Sequence, residues 1–489
     1  MASPDSVRVL EVCQVAAASG SPESATALSL PITFLDARYF KFPPAERIYF
    51  FKLHGSTPTF FHSVLVPTLK HSLSQTLRHF LPLAGHLTWP PHSPKPIILY
   101  SPNDAVSLTI AESDADLDRL VGDEIREASE SCLCVPELPI SDTKASVIAL
   151  QITLFLNKGY SISIAMHHAV VDGKTASMFL KAWAHLCKNT SKGQTFTLSP
   201  ELTPSFDRST IKDPDELESF YLNHWVATTK LDSKSNPRSL KLLPNLLGVP
   251  PKLVRATFQL SRENIEKLRE AVVSYHQHGA AGLQPTREVR LSTFVLTCAF
   301  LSVCLVKARG GDANRMVYFL VAADCRSRLD PPISQNYFGN GVFVHDTVIE
   351  ARTFMEENGV AIIAEKISGI IKGLEKGLFR GAKESHERLR STGADVQKIG
   401  IAGSPRFLYY EEDFGWGKPN KVEIASIDRI HGVSLMESRD GNGGFCFPVC
   451  SRPELTGCWF LNHLSSVVFS TVRIIYNQAC SFFGYRVLI

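Results

Sequence analysis

The spacing of apolar residues changes period at Gly173, and that change dictates the local architecture on either side of it. Residues 147–156 (VIALQITLFL) alternate, with Ile148, Leu150, Ile152, Leu154 and Leu156 on one side, and residues 160–166 (YSISIAM) alternate again. Asn157-Lys158-Gly159 between them is turn chemistry, so the pattern predicts a β-hairpin. Beyond Gly173 the residues Thr175, Met178, Phe179, Ala182, Trp183 and Leu186 recur at helical spacing. The segment His167-His168-Ala169-Val170-Val171-Asp172-Gly173 is then the tight connection where a strand ends and a helix starts. Loops held by rigid elements on both sides are where catalytic side chains are commonly mounted.

A histidine in such a loop suits general-base work. A sugar or alcohol hydroxyl is a poor nucleophile at neutral pH, and imidazole titrates close enough to neutrality to take its proton during attack. The natural electrophile is a thioester carbonyl, whose tetrahedral oxyanion then needs a donor. Asp172 either orients the imidazole of His168 or turns away and braces the loop. A lone histidine at a strand end is more often a satisfied structural residue, and His167 is read that way. An H-x-x-x-D pattern by itself carries little weight, since about one match per chain of this composition arises by chance.

What lifts His168 out of that background is a second signature downstream, Asp413-Phe414-Gly415-Trp416-Gly417. The pair, in this order and at this separation, resembles the plant acyl-CoA-dependent acyltransferases known as the BAHD family. The surrounding text resembles their malonyltransferase branch, over residues 31–51, 80–90, 199–213, 291–299, 321–329 and 402–432. The resemblance implies that Asp172 forms a structural ion pair with an arginine. Arg326 and Arg328, in Asp324-Cys325-Arg326-Ser327-Arg328, both occupy the matching stretch. It also implies that Asp413 through Gly417 is architectural, shaping a loop near the coenzyme channel, with the Trp416 indole facing the oxyanion as the alternative. Asn336-Tyr337-Phe338-Gly339-Asn340 is close to a segment of enzymes that malonylate anthocyanin or phenolic glucosides. Those enzymes usually continue with Cys, whereas Gly341 follows here.

A malonyl donor makes a demand on charge, because an unpaired carboxylate in a narrow channel is costly. Lys174, next to Asp172-Gly173, is the candidate cation, against the plainer reading of a solvated lysine at a helix start. The expected activity is transfer of malonyl from malonyl-CoA to a sugar hydroxyl of a phenolic or flavonoid glucoside, with direct transfer in a ternary complex. Hydroxycinnamoyl-CoA or another acyl-CoA is the alternative donor. A silent relative that only binds CoA or a phenolic glucoside is the rival from outside enzymology. Acyl-CoA is a co-substrate, and no metal or redox cofactor is expected.

The class follows from composition. The chain has 489 residues, 44% hydrophobic and 20% charged, which allows two substantial cores. A net charge of +3 and the absence of a basic run argue against a nucleic-acid partner. No stretch approaches 18 uninterrupted apolar residues and no secretory pattern opens the chain, so no membrane partner is expected and a cytoplasmic monomer with reduced cysteines is. The polar, Pro/Ser/Thr-rich segment 191–216 reads as a crossover linker between an N-terminal domain (1–190) and a C-terminal domain (217–489). Amphipathic spacing predicts a helix carrying Leu65, Leu69, Leu73, Leu77 and Phe80, and a second from Ser261 carrying Ile265, Leu268, Val272 and Tyr275. Strands are expected at 315–322 and 341–348. The fold class is α/β. The resemblance adds that both halves take a chloramphenicol-acetyltransferase-like fold, with the active site in a channel between them.

The ending departs from the resemblance. Residues 445–489 carry only Arg452, Glu454, Arg473 and Arg486 as charges, with four of the eleven cysteines. This stretch reads as a non-homologous ending, of the kind a translated intron or a shifted frame produces, in place of the family's last strand and helix. The Cys446, Cys450 and Cys458 spacing lacks the paired C-x-x-C geometry of zinc sites.

Overall fold

The computed structural model describes residues 7–19, 25–190, 197–230, 236–243, 253–278, 291–393, 396–430, 433–441 and 445–451. The predicted hairpin is present. Ile148–Phe155 pairs antiparallel with Gly159–Met166, and Asn157 in the turn takes a positive φ of 58°. Both strands are buried on both faces, because they lie at the centre of a six-stranded sheet. Its order is Val7–Ala16, Ala105–Ser113, Ile148–Phe155, Gly159–Met166, Ala45–Lys52 and Lys421–Ile424. Leu156, read as part of the apolar face, is in the turn and exposed.

Against this sheet packs the first core. The helix Val66–Leu77 and the turns on either side of it bury Leu65, Leu69, Leu73, Leu77 and Phe80 completely, as the spacing requires. The helix Gly173–Thr190 buries Thr175, Met178, Phe179, Ala182, Trp183 and Leu186. In the second half, Arg262–His278 and the apolar helix Thr293–Arg309 cover a seven-stranded sheet. Met316–Asp324 and Val342–Glu350 are adjacent strands of that sheet, each extending a little beyond its predicted bounds. The seven cysteines with described side chains are free thiols, and burial pushes Cys304 up to about 12. A small third sheet joins Leu28–Pro31, Ile97–Tyr100, His86–Thr88 and Ala145–Ser146.

The two halves exchange strands. Lys421–Ile424 leaves the second half to pair with Ala45–Lys52 in the first sheet, and Arg126–Glu127 pairs with Val254–Leu260 in the second. At the crossing, Glu423 is buried between Arg126 and Arg255, with a further hydrogen bond from the Ser131 hydroxyl at 2.9 Å. Lys421 is equally buried, donating to Thr257 Oγ1 at 2.8 Å and to the Gly122 carbonyl at 3.1 Å. Buried charges persist only when paired in this manner. The exchange makes each half depend on the other.

The ending differs from expectation at its start. Phe445–Ser451 is a strand between Val433–Glu437 and Val254–Leu260, well inside the second sheet. Pro448 lies opposite Thr257, and a proline inside a strand pattern argues against that assignment from sequence alone. Residues 452–489, and the side chains of Cys446, Cys450 and Cys458, lie outside the described residues.

Candidate active site

His168 stands where Gly159–Met166 has ended and Gly173–Thr190 has not begun. The main chain is pinned first: His167 N–H donates to the Val147 carbonyl at 2.8 Å, and Val170 N–H turns back to the His167 carbonyl at 2.9 Å. His167 is fully buried, and its Nδ1 accepts from Ala169 N–H at 3.3 Å. Burial, with the neighbouring charges of His168 and Lys41, drives its pKa down to about 3. It is a neutral structural histidine. The His168 ring is held differently. It stacks on Tyr39 at 4.5 Å with 13° between planes, and the Phe42 ring meets it edge-on at 6.0 Å. Burial lowers its pKa below the ordinary histidine value, while its own backbone and Asp172 pull the other way. The shift favours the neutral imidazole.

Asp172 turns away from the imidazole. Its Oδ1 accepts from Thr175 N–H at 2.8 Å, which caps the helix Gly173–Thr190. The same carboxylate meets Arg326 through two bonds, Nη1 to Oδ2 at 2.8 Å and Nη2 to Oδ1 at 3.1 Å, and accepts from Gly341 N–H at 2.9 Å. Burial alone would raise the Asp172 pKa, but the Arg326 charge and these hydrogen bonds outweigh it and hold it below the usual carboxylate range. Arg326 is 0% exposed and also reaches the Gly339 carbonyl at 3.3 Å. Arg328 is elsewhere, exposed, with Nη1 on the Asp324 carbonyl, and it lines a cleft of about 250 Å³ with Lys212, Leu329 and Phe379. The bracing arginine is Arg326. A Cβ at position 341 would stand 2.5 Å from Arg326 Nη1, so Gly341 leaves room for the guanidinium.

Lys174 points into the same corner. Its ammonium bonds Gln335 Oε1 and lies 3.6 Å from Asp324 Oδ2. Gly173 is half-buried against Phe407, and its carbonyl accepts from Arg47 Nη2 at 2.8 Å. Arg47 also donates to Ser177 Oγ at 2.9 Å and lies over the Tyr409 ring.

The second motif braces the other end of the same helix. Asp413 Oδ1 accepts from Gly415 and Gly417 N–H at 2.8 and 3.0 Å, and its Oδ2 meets Lys188 Nζ at 2.7 Å. Gly415 and Gly417 have φ of 110° and 107°, a region in which side chains are strained, so the loop requires glycine twice. Phe414 is buried against Trp183 and Phe51. The Trp416 ring sits in an aromatic cluster with Phe60 and Tyr160. Lys188 is fifteen residues past Gly173, roughly 22 Å along the helix axis.

Sequence reading missed Asn340, Asp36, Arg208 and Tyr39 as site residues. Asn340 Nδ2 donates to the His168 carbonyl at 2.9 Å. Asp36 had a usable signal, because Thr33-x-x-Asp36 ahead of an apolar run is a capping-box pattern, and Thr33 N–H and Oγ1 both donate to Asp36 Oδ2 at 2.9 Å.

The family described as the Transferase family matches residues 7–454. The chain belongs to this family, the BAHD acyltransferases. It is an acyltransferase with the family's mixed α/β architecture. It is 43% identical over 444 residues to "Phenolic glucoside malonyltransferase 1" of Arabidopsis thaliana, covering 90% of this chain and 93% of that one. To "Malonyl-CoA:anthocyanidin 5-O-glucoside-6''-O-malonyltransferase" of Arabidopsis thaliana it is 42% identical, covering 92% and 95%. The fold matches vinorine synthase with a TM-score of 0.64 at 19% identity, covering 91% of this chain and 95% of that one. Among the described residues of this BAHD chain no helix is long and apolar enough to cross a membrane.

One buried group beside the motif predicts a pH response. Both carboxylate oxygens of Glu412 are buried beside the Tyr49 hydroxyl. Burial pushes its pKa up to about 8 against the pull of Arg47, Lys181 and a hydrogen bond from Tyr49, with Glu437 adding to the rise. A folded pKa above the unfolded value means stability falls as pH rises from the unfolded value through the folded one. Glu412→Gln should therefore melt close to wild type near pH 5. Its advantage should grow to several degrees by pH 8.5 and then level off. A gain independent of pH would show that Glu412 is not the titrating group.

Proposed function

We propose that this chain transfers malonyl from malonyl-CoA to a sugar hydroxyl of a phenolic or flavonoid glucoside. The observation that carries the reading is the 42–43% identity, over about nine-tenths of the chain, to two enzymes named for malonyl transfer to such glucosides. His168 takes the hydroxyl proton as that oxygen attacks the thioester carbonyl. The C–S bond of the tetrahedral intermediate then breaks, and the proton passes to the CoA sulfur. Asp172 with Arg326 keeps the loop in shape and takes no part in proton transfer. Lys174 is the cation for the malonyl carboxylate, reached by exchanging its contact with Gln335. Donor and acceptor enter from opposite sides of a channel between the domains 1–190 and 217–489, bridged by 191–216.

A hydroxycinnamoyl donor is favoured by a separate relative, "Agmatine coumaroyltransferase" of Arabidopsis thaliana, at 38% identity over 442 residues. Donor competition decides between them. Malonyl-CoA is expected to give acceptor-dependent thiol release at least tenfold more efficiently than p-coumaroyl-CoA with a panel of phenolic glucosides. Lys174→Ala is expected to raise the malonyl-CoA KM roughly tenfold, the scale of a lost hydrogen bond to a charged group, and to leave p-coumaroyl-CoA unchanged. An equal effect on both donors removes Lys174 from the carboxylate; preference for p-coumaroyl-CoA removes malonyl from the reading.

A further inference from the structure

The His168 ring lacks the orienter that a catalytic histidine usually has. Its Nδ1 is buried with no partner on another described residue, the hydrogen bond that bears on the ring comes from its own backbone, and the nearby carboxylate of Asp172 is committed to Arg326, Thr175 and Gly341. In a triad a carboxylate on Nδ1 fixes the ring; here something else must.

Asn340 offers that function through the main chain. Its Nδ2 donates to the His168 carbonyl and to Asp36 Oδ1, both at 2.9 Å, and its backbone N–H donates to the same Oδ1 at 3.0 Å. Two acceptors on one nitrogen fix which way the amide faces, since the Asn oxygen could serve neither. Asp36 is 0% exposed and has no freedom of its own. Its Oδ2 is filled by Thr33 N–H, the Thr33 hydroxyl and Arg208 Nη1, each at 2.9 Å. Arg208 reaches from the crossover segment and also donates to the Phe338 carbonyl at 3.3 Å.

The ring platform hangs from the same hub. Tyr39 N–H donates to the Asp36 carbonyl at 3.0 Å, and the Tyr39 hydroxyl donates to the Val342 carbonyl at 3.2 Å. Asp36 thus connects the residue that stacks on the imidazole with the residue that holds its peptide. The neighbouring Gly341 N–H holds Asp172. Consecutive residues of the second domain grip the two ends of the His-x-x-x-Asp loop.

We propose that Asn340, held by Asp36 and Arg208, is a positioning residue that orients His168 through its backbone carbonyl. The inference rests on His168 being the proton acceptor of the proposed reaction. Misplacing a catalytic group by about 1 Å costs on the order of 10²-fold in rate. Asn340→Ala is therefore expected to lower kcat roughly 10–100-fold, with donor and acceptor KM within about threefold of wild type. His168 should also react at least threefold faster with diethylpyrocarbonate, read by mass spectrometry with fragmentation to resolve it from His167. Asp36→Asn, which keeps the side-chain volume, should give the same signature, and the double variant should be little worse than the poorer single one. If Asn340→Ala does not fold, Asp36→Asn carries the same readings.

Wild-type kcat in a folded Asn340→Ala, or a loss confined to KM with unchanged His168 reactivity, overturns the proposal. His168→Ala is run alongside. Turnover that survives in it removes the premise, whereas turnover lost there and kept in Asn340→Ala removes only the positioning role. The chemical-modification arm needs no substrate, so it tests Asn340 even in an enzyme inert toward malonyl-CoA.

Discussion

Replacing His168 by alanine is expected to lower acceptor-dependent CoA release by roughly 10²–10⁴-fold, the range typical of a lost general base. The ring occupies the strand-to-helix connection, backed by Tyr39 and edged by Phe42, so truncation removes the proton acceptor and leaves the loop hydrogen bonds of His167 and Asp172 in place. The melting temperature should move little by comparison. The pH profile supplies a second check. A base must be neutral to act, and burial lowers the His168 pKa, so the acidic limb of kcat/KM should fall below the ordinary histidine value of about 6.5. Thiol release from malonyl-CoA with and without glucoside, in wild type and His168→Ala, measures both. Retention of more than about a tenth of wild-type activity would eliminate His168 as the base, and an acidic limb above neutrality would contradict its burial.

How much of this is legible in the sequence depends on distance along the chain. The hairpin and helix around His168 are legible because both are local, and period 2 giving way to period 3.6 is a local signal. The brace is legible as Asp172 with an arginine, but not as which one. Arg326 and Arg328 are two residues apart in one turn, and only the fold reveals that Arg326 is buried against Asp172 while Arg328 faces solvent. The strand exchange is invisible. Lys421-Val-Glu423-Ile alternates like a half-exposed strand, yet Lys421 and Glu423 are buried against partners some 165–300 residues away. Asn340 stands out as part of a motif, but its hold on the His168 carbonyl spans 172 residues and leaves no mark on local pattern. Pro448 hides a strand within the second sheet. What is lost in each case is a pairing between distant segments.

Removing Arg326 should be the most destabilising single change in the site. A buried ion pair is often no better than a well-packed apolar pair, but deleting one partner strands the other charge and costs about 3–5 kcal/mol. Arg326→Ala leaves Asp172 buried, with only the Thr175 and Gly341 N–H groups to hold it, and it leaves the Gly339 carbonyl with the Thr175 hydroxyl in place of two donors. An apparent melting temperature lower by several degrees is expected, together with loss of turnover as the His168 loop loses its far anchor. The effect should depend on pH in a definite direction. In wild type the folded Asp172 pKa is depressed, so its contribution is present at neutral pH and lost only in acid. In Arg326→Ala the same carboxyl is buried without its counter-charge, so its folded pKa should rise above the unfolded value. Stability of the variant should then fall as pH rises through that window, and the deficit should be smaller at pH 5 than at pH 8. Arg326→Met combined with Asp172→Asn should recover much of the melting temperature without recovering activity, because no uncompensated charge remains while the geometry stays unbraced. Thermal melts of wild type and both variants at the two pH values, beside kcat, decide it: a deficit that is equal at pH 5 and pH 8, or a double variant no more stable than Arg326→Ala, would mean that a stranded Asp172 charge is not the cause.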